Sequence, residues 1–254
     1  MNVVSALESR PVASQFAETL LDVLDRVAYR RADLNDPRDP VFRLRYEAYR
    51  REEFIPMNVE KVSGDSFDHS PNVMGFGVYI DRQLVSSIRL HHVTPAERSS
   101  PSRLIYADKL DPLLDEGRSY IDPSRFTADR EATLAYPALP FLTLRLASMA
   151  SVYFNVDYCL ASVRPEHVAF YRRVFLSKPL GGERYYPGLH FPVTMYVAEV
   201  PRIREHVHAR YPFFMGTDEE HHLLFDTPAD GVMPWVMPTA REAIRRRHGP
   251  AALV

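Results

Sequence analysis

The sequence predicts a mixed α/β protein: one twisted central sheet with helices on both faces, followed by a C-terminal extension. Three observations predict it. The apolar runs GFGVYID, LVSSIRLHHV and FPVTMYVAEV read as strands. Apolar stripes of helical spacing follow Ser14, follow Pro40 and run from about Ala138 to Phe154. The two kinds alternate along the chain rather than segregating, the pattern of one sheet layered between helices. At 254 residues and 46% hydrophobic content, the chain is long enough for a sizeable core, in one large domain or two small ones. It divides into an N-terminal helical segment (1–26), a main domain (27–200) and an extension (201–254).

Residues 1–13 read as a loose terminus. Ser14 then precedes a stripe of Phe16, Leu20, Leu24 and Val27, with Glu18, Asp22 and Asp25 opposite. That acidic face is not one anionic membranes favour, so the helix packs on the domain or covers an apolar ligand. Val27, Tyr29 and Arg31 alternate as a first strand, broken by LNDPRDP. Asp39-Pro40, a capping carboxylate followed by proline at the first helical position, opens the helix VFRLRYEAYRREEF, which ends before Pro56. Leu44, Ala48 and Arg51 share one of its faces, Arg45 and Tyr49 another.

GFGVYID and LVSSIRLHHV, joined at Asp81-Arg82-Gln83, form a hairpin. From Thr94 to Ser119 the chain reads as loop around one short helix, Asp111-Pro112-Leu113-Leu114, closed near Gly117. RSYIDPSRFTADRE is a candidate central strand in which Pro123 marks a bulge. A long apolar helix leads into the buried strand Tyr158 to Val163. Arg164-Pro165 breaks that run and starts a helix carrying Val168, Tyr171, Arg172 and Phe175, ended by Pro179-Leu180-Gly181-Gly182. FPVTMYVAEV closes the sheet, pairing with the segment near ERYY. In the extension, RIREHVHARYPFFM begins as a helix, and the last helix opens with a capping box, Thr239-Ala240-Arg241-Glu242. Its final run, Arg245-Arg246-Arg247-His248, suits a helix C-terminus or serves as a docking patch.

Composition excludes several functions. A net charge of −2 is not that of a dedicated nucleic-acid binder. One cysteine excludes a disulfide framework, and Cys159 lies inside the expected buried strand as an inert core thiol. No apolar run reaches membrane-spanning length, and MNVVSALESRPVAS lacks the build of a signal peptide, so the expectation is a cytoplasmic protein without a transmembrane segment. The histidines, among them His91-His92, His206-x-His208 and His221-His222, raise a metallohydrolase, but no H-E-x-x-H or Cys-rich ligand spacing occurs and no metal is expected.

A strand running straight into a helix aims a helix N-terminus at the sheet edge, a common place for a ligand. The run V-x-P-x-H-x-x-F-Y-R-R-x-F there resembles the closing strand–helix of the GNAT N-acyltransferases. In those enzymes a Tyr of this helix lies beside the thioester sulfur, and Tyr171 takes that place; alternatively it is an ordinary half-buried helix tyrosine. Four further pieces resemble the acyl-homoserine-lactone (autoinducer) synthases. Arg45 and Tyr49, followed by Phe54, are similar to their R-x-x-x-F…W opening. Asp65-Ser66-Phe67-Asp68 is similar to their D-x-x-D. Arg89-Leu90, with Thr94 and the DPLL segment, is similar to their R-L strand and its connection, and Tyr120 to Phe126 to their W-E-x-S-R-F strand.

Together the resemblance covers about residues 27–200 and implies a GNAT-like mixed sheet. The family's Trp is Phe54 here and its strand Glu is the shorter Asp122. The V-x-P-x-H-x-x-F-Y helix is more similar to the related N-acyl amino acid synthases, which join a long fatty acyl chain from acyl carrier protein to an amino acid's amine. The resemblance therefore implies an amino acid or other small amine as acceptor, in place of S-adenosylmethionine. Where acetyl-CoA-using GNAT enzymes carry a glycine-rich turn for the CoA pyrophosphate, this chain reads ADREATLAYPALP, without glycine. That absence fits an acyl-phosphopantetheine donor on acyl carrier protein better than acyl-CoA, with no cofactor of the enzyme's own.

The reaction implied is aminolysis of a thioester. An α-amino group with pKa about 8 is roughly a tenth neutral at pH 7, so a general base helps. Asp122 on the bulged strand is the candidate, with Glu131 second; Tyr171 faces the leaving thiolate. Asp122 and Arg125, three apart in a strand, point to opposite faces, and Arg125 pairs instead with Asp65 or Asp68. Arg45 and Arg89 read as structural ion-pair partners or as clamps for a substrate carboxylate, and Tyr49 and Phe54 as pocket or core. Phe141, Leu144, Met149 and Phe175 are expected to line an acyl cavity. The same features leave open an autoinducer synthase, or a non-catalytic acyl- or carrier-binding protein with a GNAT-like shell.

Overall fold

The computed structural model describes residues 14–187, 190–228 and 231–248. The expected loose terminus, 1–13, lies outside them. In chain order the elements are α1 (Gln15–Leu24), β1 (Val27–Arg31), α2 (Pro40–Arg51), β2 (Val73–Ile80), β3 (Gln83–Val93), α3 (Arg103–Asp115), β4 (Tyr120–Ala128), α4 (Arg130–Ala135), α5 (Leu139–Tyr153) and β5 (Tyr158–Val163). There follow α6 (Val168–Val174), β6 (Lys178–Tyr185), β7 (Pro192–Glu199), α7 (Val200–Arg210), α8 (Asp218–Phe225), β8 (Trp235–Val236) and α9 (Ala240–His248).

Local chemistry accounts for many boundaries. Ser14 caps α1 through the Ala17 amide and Asp39 caps α2 through the Val41 amide, with Pro40 at the first helical position. The β2–β3 hairpin turns on Asp81 and Arg82, both with φ near +60° (50° and 67°), the two-residue turn whose twist matches its strands.

The strands form one sheet in the order β6-β7-β5-β4-β3-β2-β1-β8, antiparallel everywhere except between β4 and β5. One face carries the main core, where Leu20, Leu142, Leu146, Phe213 and Ile244 from α1, α5, the segment after α7, and α9 meet Tyr29, Phe76, Ile88 and Ile121. On the other face α3 packs Tyr106 and Leu110 on Tyr120, Leu160 and Met195, and α2 packs Val41 and Phe42 on Ala32 and Leu34.

Two irregularities place the site. First, β4 and β5 pair only at Tyr120–Tyr158 and Ile121–Cys159, after which they separate. Second, β3 pairs with β4 at Arg89–Ser124 and Ser87–Thr127, so Ile88 stands opposite both Arg125 and Phe126. This bulge, with Arg125 at φ +51°, is the irregularity that Pro123 signals, two residues further along.

Three expectations are corrected. The segment marked as loop around a four-residue helix holds α3, a thirteen-residue helix kinked at Tyr106. Its apolar residues follow no single stripe across the kink, which hides it from periodicity. Pro179-Leu180-Gly181-Gly182 is not a helix stop but part of β6, where Gly181 lets the Tyr106 ring lie against the strand; a Cβ there would meet the ring at 2.6 Å. α6 has already ended at Val174. The Thr239 hydroxyl does not close a capping box; it donates to Glu220 Oε2 at 2.7 Å.

The terminal segments share the main core. Glu220 of α8 meets Arg145 of α5 in a fully buried pair, at 2.5 and 2.8 Å. The Arg145 guanidinium also donates to the Phe213 carbonyl at 2.7 Å and lies 5.7 Å from the Tyr29 ring. Arg246 pairs with Glu219 and Glu242, and Arg247 with Glu205, so much of the terminal arginine run staples the last helix to its neighbours.

Candidate active site

The separation of β4 from β5 opens a cavity of about 820 Å³. Its walls come from both faces of the sheet. On the α2 face they include Tyr49, Arg51, Phe54, Asp65, Arg89 and Tyr186; on the α5 face they include Leu144, Ala147, Ser148, Phe170, Tyr171, Phe175 and Val207. The cavity therefore passes through the sheet. Its lining is mostly apolar on the α5 side, whereas charge gathers on the α2 side.

The charged group is a network. Arg45 Nη1 donates to Asp68 Oδ1 at 2.8 Å, and Arg89 Nη1 reaches the same oxygen at 3.0 Å. Arg89 also grips Asp65 with both terminal nitrogens, at 2.5 and 3.2 Å. Arg125 donates to Asp65 Oδ2 through Nε (3.1 Å) and Nη2 (2.5 Å), its guanidinium 5.2 Å from the Tyr49 ring. Asp68 in turn accepts the Asp65 amide, at 2.9 Å. Burial alone would raise Asp65, but Arg89 and Arg125 outweigh it and hold the carboxyl well below the usual range; Asp68, between Arg45 and Arg89, is lowered likewise. The network itself holds three guanidinium groups and two carboxylates, with the Asp122 carboxylate on the same side of the sheet. Arg45 lies behind the cavity wall, fully buried, with Nε and Nη2 unpartnered.

Asp122 is also fully buried and does not line the cavity. Its carboxylate accepts from Ser100 Oγ (2.6 Å), the Ser102 amide (2.9 Å) and Ser102 Oγ (2.7 Å). Because the bulge inserts a residue after Ser124, Arg125 turns to the side that Asp122 already faces; the expectation of opposite faces holds only for an unbroken strand. Beside Asp122, burial pushes the His91 imidazole down to about 4. Its Nε2 lies 3.2 Å from the Phe67 carbonyl, which only accepts, so the proton sits on Nε2.

The remaining expected residues divide. Tyr49, Phe54, Phe175, Leu144 and Tyr171 line the cavity. Burial raises the Tyr171 hydroxyl above the ordinary phenol range, so it stays protonated. Glu131 does not line it; it is exposed in the first turn of α4. Phe141 lies one layer back, stacked edge-on to Phe16, Phe170 and Phe213, and Met149 is core. Periodicity marked both as apolar but cannot distinguish a core face from a cavity wall. Ser102, Ser162, Tyr186 and Cys159 line the cavity without having been expected to. Ser102 lies in a segment whose sequence reads as loop, while Ser162 has a sequence signal, a hydroxyl inside a buried apolar strand. Burial pushes the Cys159 thiol up to about 12, so it is no nucleophile. Among the described residues, no three His, Cys, Asp or Glu side chains are grouped to hold a metal, and no helix is long and apolar enough to cross a membrane.

With this geometry in place, comparison with known proteins is specific. The family model described as N-acyl amino acid synthase FeeM matches residues 40–199. Among solved structures the chain is similar to FeeM, an N-acyl amino acid synthase from uncultured soil microbes, at 19% identity and a TM-score of 0.58, covering 71% of this chain and 94% of that one. It is also similar to the CoA-dependent acyl-homoserine lactone synthase BjaI (16%, TM-score 0.48, 67% and 79% covered). The likeness to the AHL synthase LasI is comparable (12%, TM-score 0.48, 67% and 88% covered). No curated protein matches the sequence.

Proposed function

Because the chain belongs to the N-acyl amino acid synthase FeeM family, making it an acyltransferase with a GNAT-like fold, we propose that it transfers a long-chain fatty acyl group from acyl carrier protein to the amine of an amino acid. The observation that carries this reading is the cavity that crosses the sheet between β4 and β5. An acyl chain fits the apolar chamber under α5, α6 and α7, and an amino acid fits the α2 face. There Arg125, beside Tyr49 and open to the cavity, offers a guanidinium to an α-carboxylate. The thioester carbon then lies in the gap, where the two chambers meet.

In the reaction the neutral amine attacks the thioester carbonyl, a C–N bond forms, and the C–S bond breaks with its electron pair on sulfur. Sulfur takes a proton and leaves as the pantetheine thiol. Asp122 receives the proton that the incoming ammonium gives up. Tyr171 passes its hydroxyl proton to the departing sulfur and takes in its place the second proton that nitrogen loses, so it ends protonated. Amides freed by the bulge at Arg125 and Phe126 receive the developing oxyanion. Two features support a carrier protein as donor over CoA. No glycine-rich turn follows β4, and the first helix after it is capped by the Asp129 carboxylate, which accepts the Ala132 amide at 2.9 Å and repels a pyrophosphate.

The test is mass spectrometry of lipid extracts from a bacterial host expressing the chain, against an empty vector. New N-acyl amino acids identify acceptor and chain length together. Acyl-homoserine lactones would instead make it an autoinducer synthase, and the absence of any new acylated product would overturn the proposal. With purified protein, faster turnover of acyl carrier protein than of the matching acyl-CoA supports the carrier as donor.

A further inference from the structure

Asp122 is walled off from the cavity, yet it is wired to it. Ser102 Oγ donates to Asp122 Oδ1 at 2.7 Å, because a carboxylate only accepts. Ser102 Oγ and Ser162 Oγ lie 2.8 Å apart. A serine hydroxyl holds one proton, and that of Ser102 is committed to Asp122, so Ser162 donates to Ser102. The direction of both hydroxyls is thereby fixed. Ser162, on β5 at the cavity wall, has only lone pairs left to offer a ligand. Ser100 Oγ and the Ser102 amide, both on Asp122 Oδ2 at 2.6 and 2.9 Å, lock the carboxylate in place. Ser102 and Ser162 both line the cavity, and Asp122 shares its side of the sheet with the arginine network.

Resting on the acyl-transfer reading above, we propose that Ser162 and Ser102 form a two-step proton relay that carries a proton from the acceptor ammonium to Asp122. The ammonium N–H is donated to Ser162 Oγ. As it transfers, the Ser162 proton passes to Ser102 Oγ and the Ser102 proton to Asp122 Oδ1. Both hydroxyls end neutral, Asp122 ends protonated, and the nitrogen keeps the lone pair that attacks the thioester. After product release the proton returns along the same chain to water. Ser162 touches the substrate and is catalytic. Ser102 and Ser100 act through Asp122: Ser102 as relay, Ser100 as positioning residue.

The experiment uses the full chain with a myristoyl carrier-protein donor, and compares two nucleophiles. The first is the best acceptor among the twenty protein amino acids. The second is hydroxylamine, which is already neutral at pH 7 and needs no proton removed before attack. Ser162→Ala and Ser102→Ala are expected to lower kcat with the amino acid about a hundredfold, to change its KM little, and to lose far less with hydroxylamine. Ser162→Thr, which keeps the hydroxyl, recovers most of the rate. Equal losses with both nucleophiles mean a structural role and overturn the relay. Full activity in both serine variants while Asp122→Asn is impaired overturns the relay alone. Full activity in Asp122→Asn removes both the relay and its base. Wild-type protein, in case a variant fails to fold, gives an independent reading. Its rate in mixtures of light and heavy water curves if several protons move together, and a straight line overturns the relay. No turnover with any of the twenty amino acids overturns the acceptor class and the relay with it.

Discussion

At the scale of single residues, Asp65 does the most. It takes two guanidinium groups at once, and removing its charge leaves Arg89 and Arg125 in a partly buried site without their main partner. Asp65→Asn is expected to cost about 2–3 kcal/mol in a denaturant titration and to weaken acceptor binding, since the two arginines no longer hold the wall of that chamber. The effect carries a pH signature. Asp65 and Asp68 titrate below their ordinary value of 3.8 in the folded protein, so their stabilisation is complete above about pH 4 and lost as pH falls through the folded values. Asp65→Asn should therefore lose stability less steeply than the wild type below pH 4. Cys159 makes a second prediction. With its thiol near 12, it should resist alkylation by iodoacetamide at pH 8 in the folded protein and react on unfolding. Arg45, Asp65, Asp68, Arg89 and Arg125 were legible as a set through the resemblance of their motifs to those of the autoinducer synthases. One pairing was legible too, Arg125 with Asp65; what was not is the bulge that turns Arg125 to the face of Asp122.

At the scale of elements, strands could be read where an apolar run was bounded by turn residues, as in β2, β3 and β7. The helix α3 could not, because a kink at Tyr106 divides its apolar residues between two short registers. α5 was legible as a helix and Leu144 as a cavity residue, but the rest of its wall was not: Ala147, Ser148 and Ser151 line the cavity, whereas the apolar Leu146 and Met149 are core. Only the separation of β4 and β5 says which side of α5 is empty. That side gives a direct test of chain length. Ala147→Phe fills the acyl chamber from the helix, and product profiles should shift toward shorter acyl chains with little change in kcat for the shortest accepted donor. An unchanged profile would place the chain elsewhere.

At the scale of the molecule, the Arg145–Glu220 pair joins α5 to the C-terminal elements. Glu220→Ala strands a buried guanidinium and is expected to cost about 3–5 kcal/mol by thermal or denaturant unfolding, whereas replacing both residues with Met and Leu should cost far less. Protonation works against the fold as well. His91 and His208 are held near pKa 4 by burial, from an ordinary 6.5, so stability should decline from about pH 6.5 down to pH 4, before the aspartate pairs are lost. A last consequence follows from the short ladder between β4 and β5. Two residue pairs join a half-sheet of three strands to one of five, like the covers of a book on a narrow spine. Whatever is seated between the covers wedges them at one opening, and its exit lets them relax. Amide exchange at Ser124 to Phe126 and at Ala161 to Val163 should then slow with occupancy and recover after each product leaves, so the sheet itself reports the catalytic cycle.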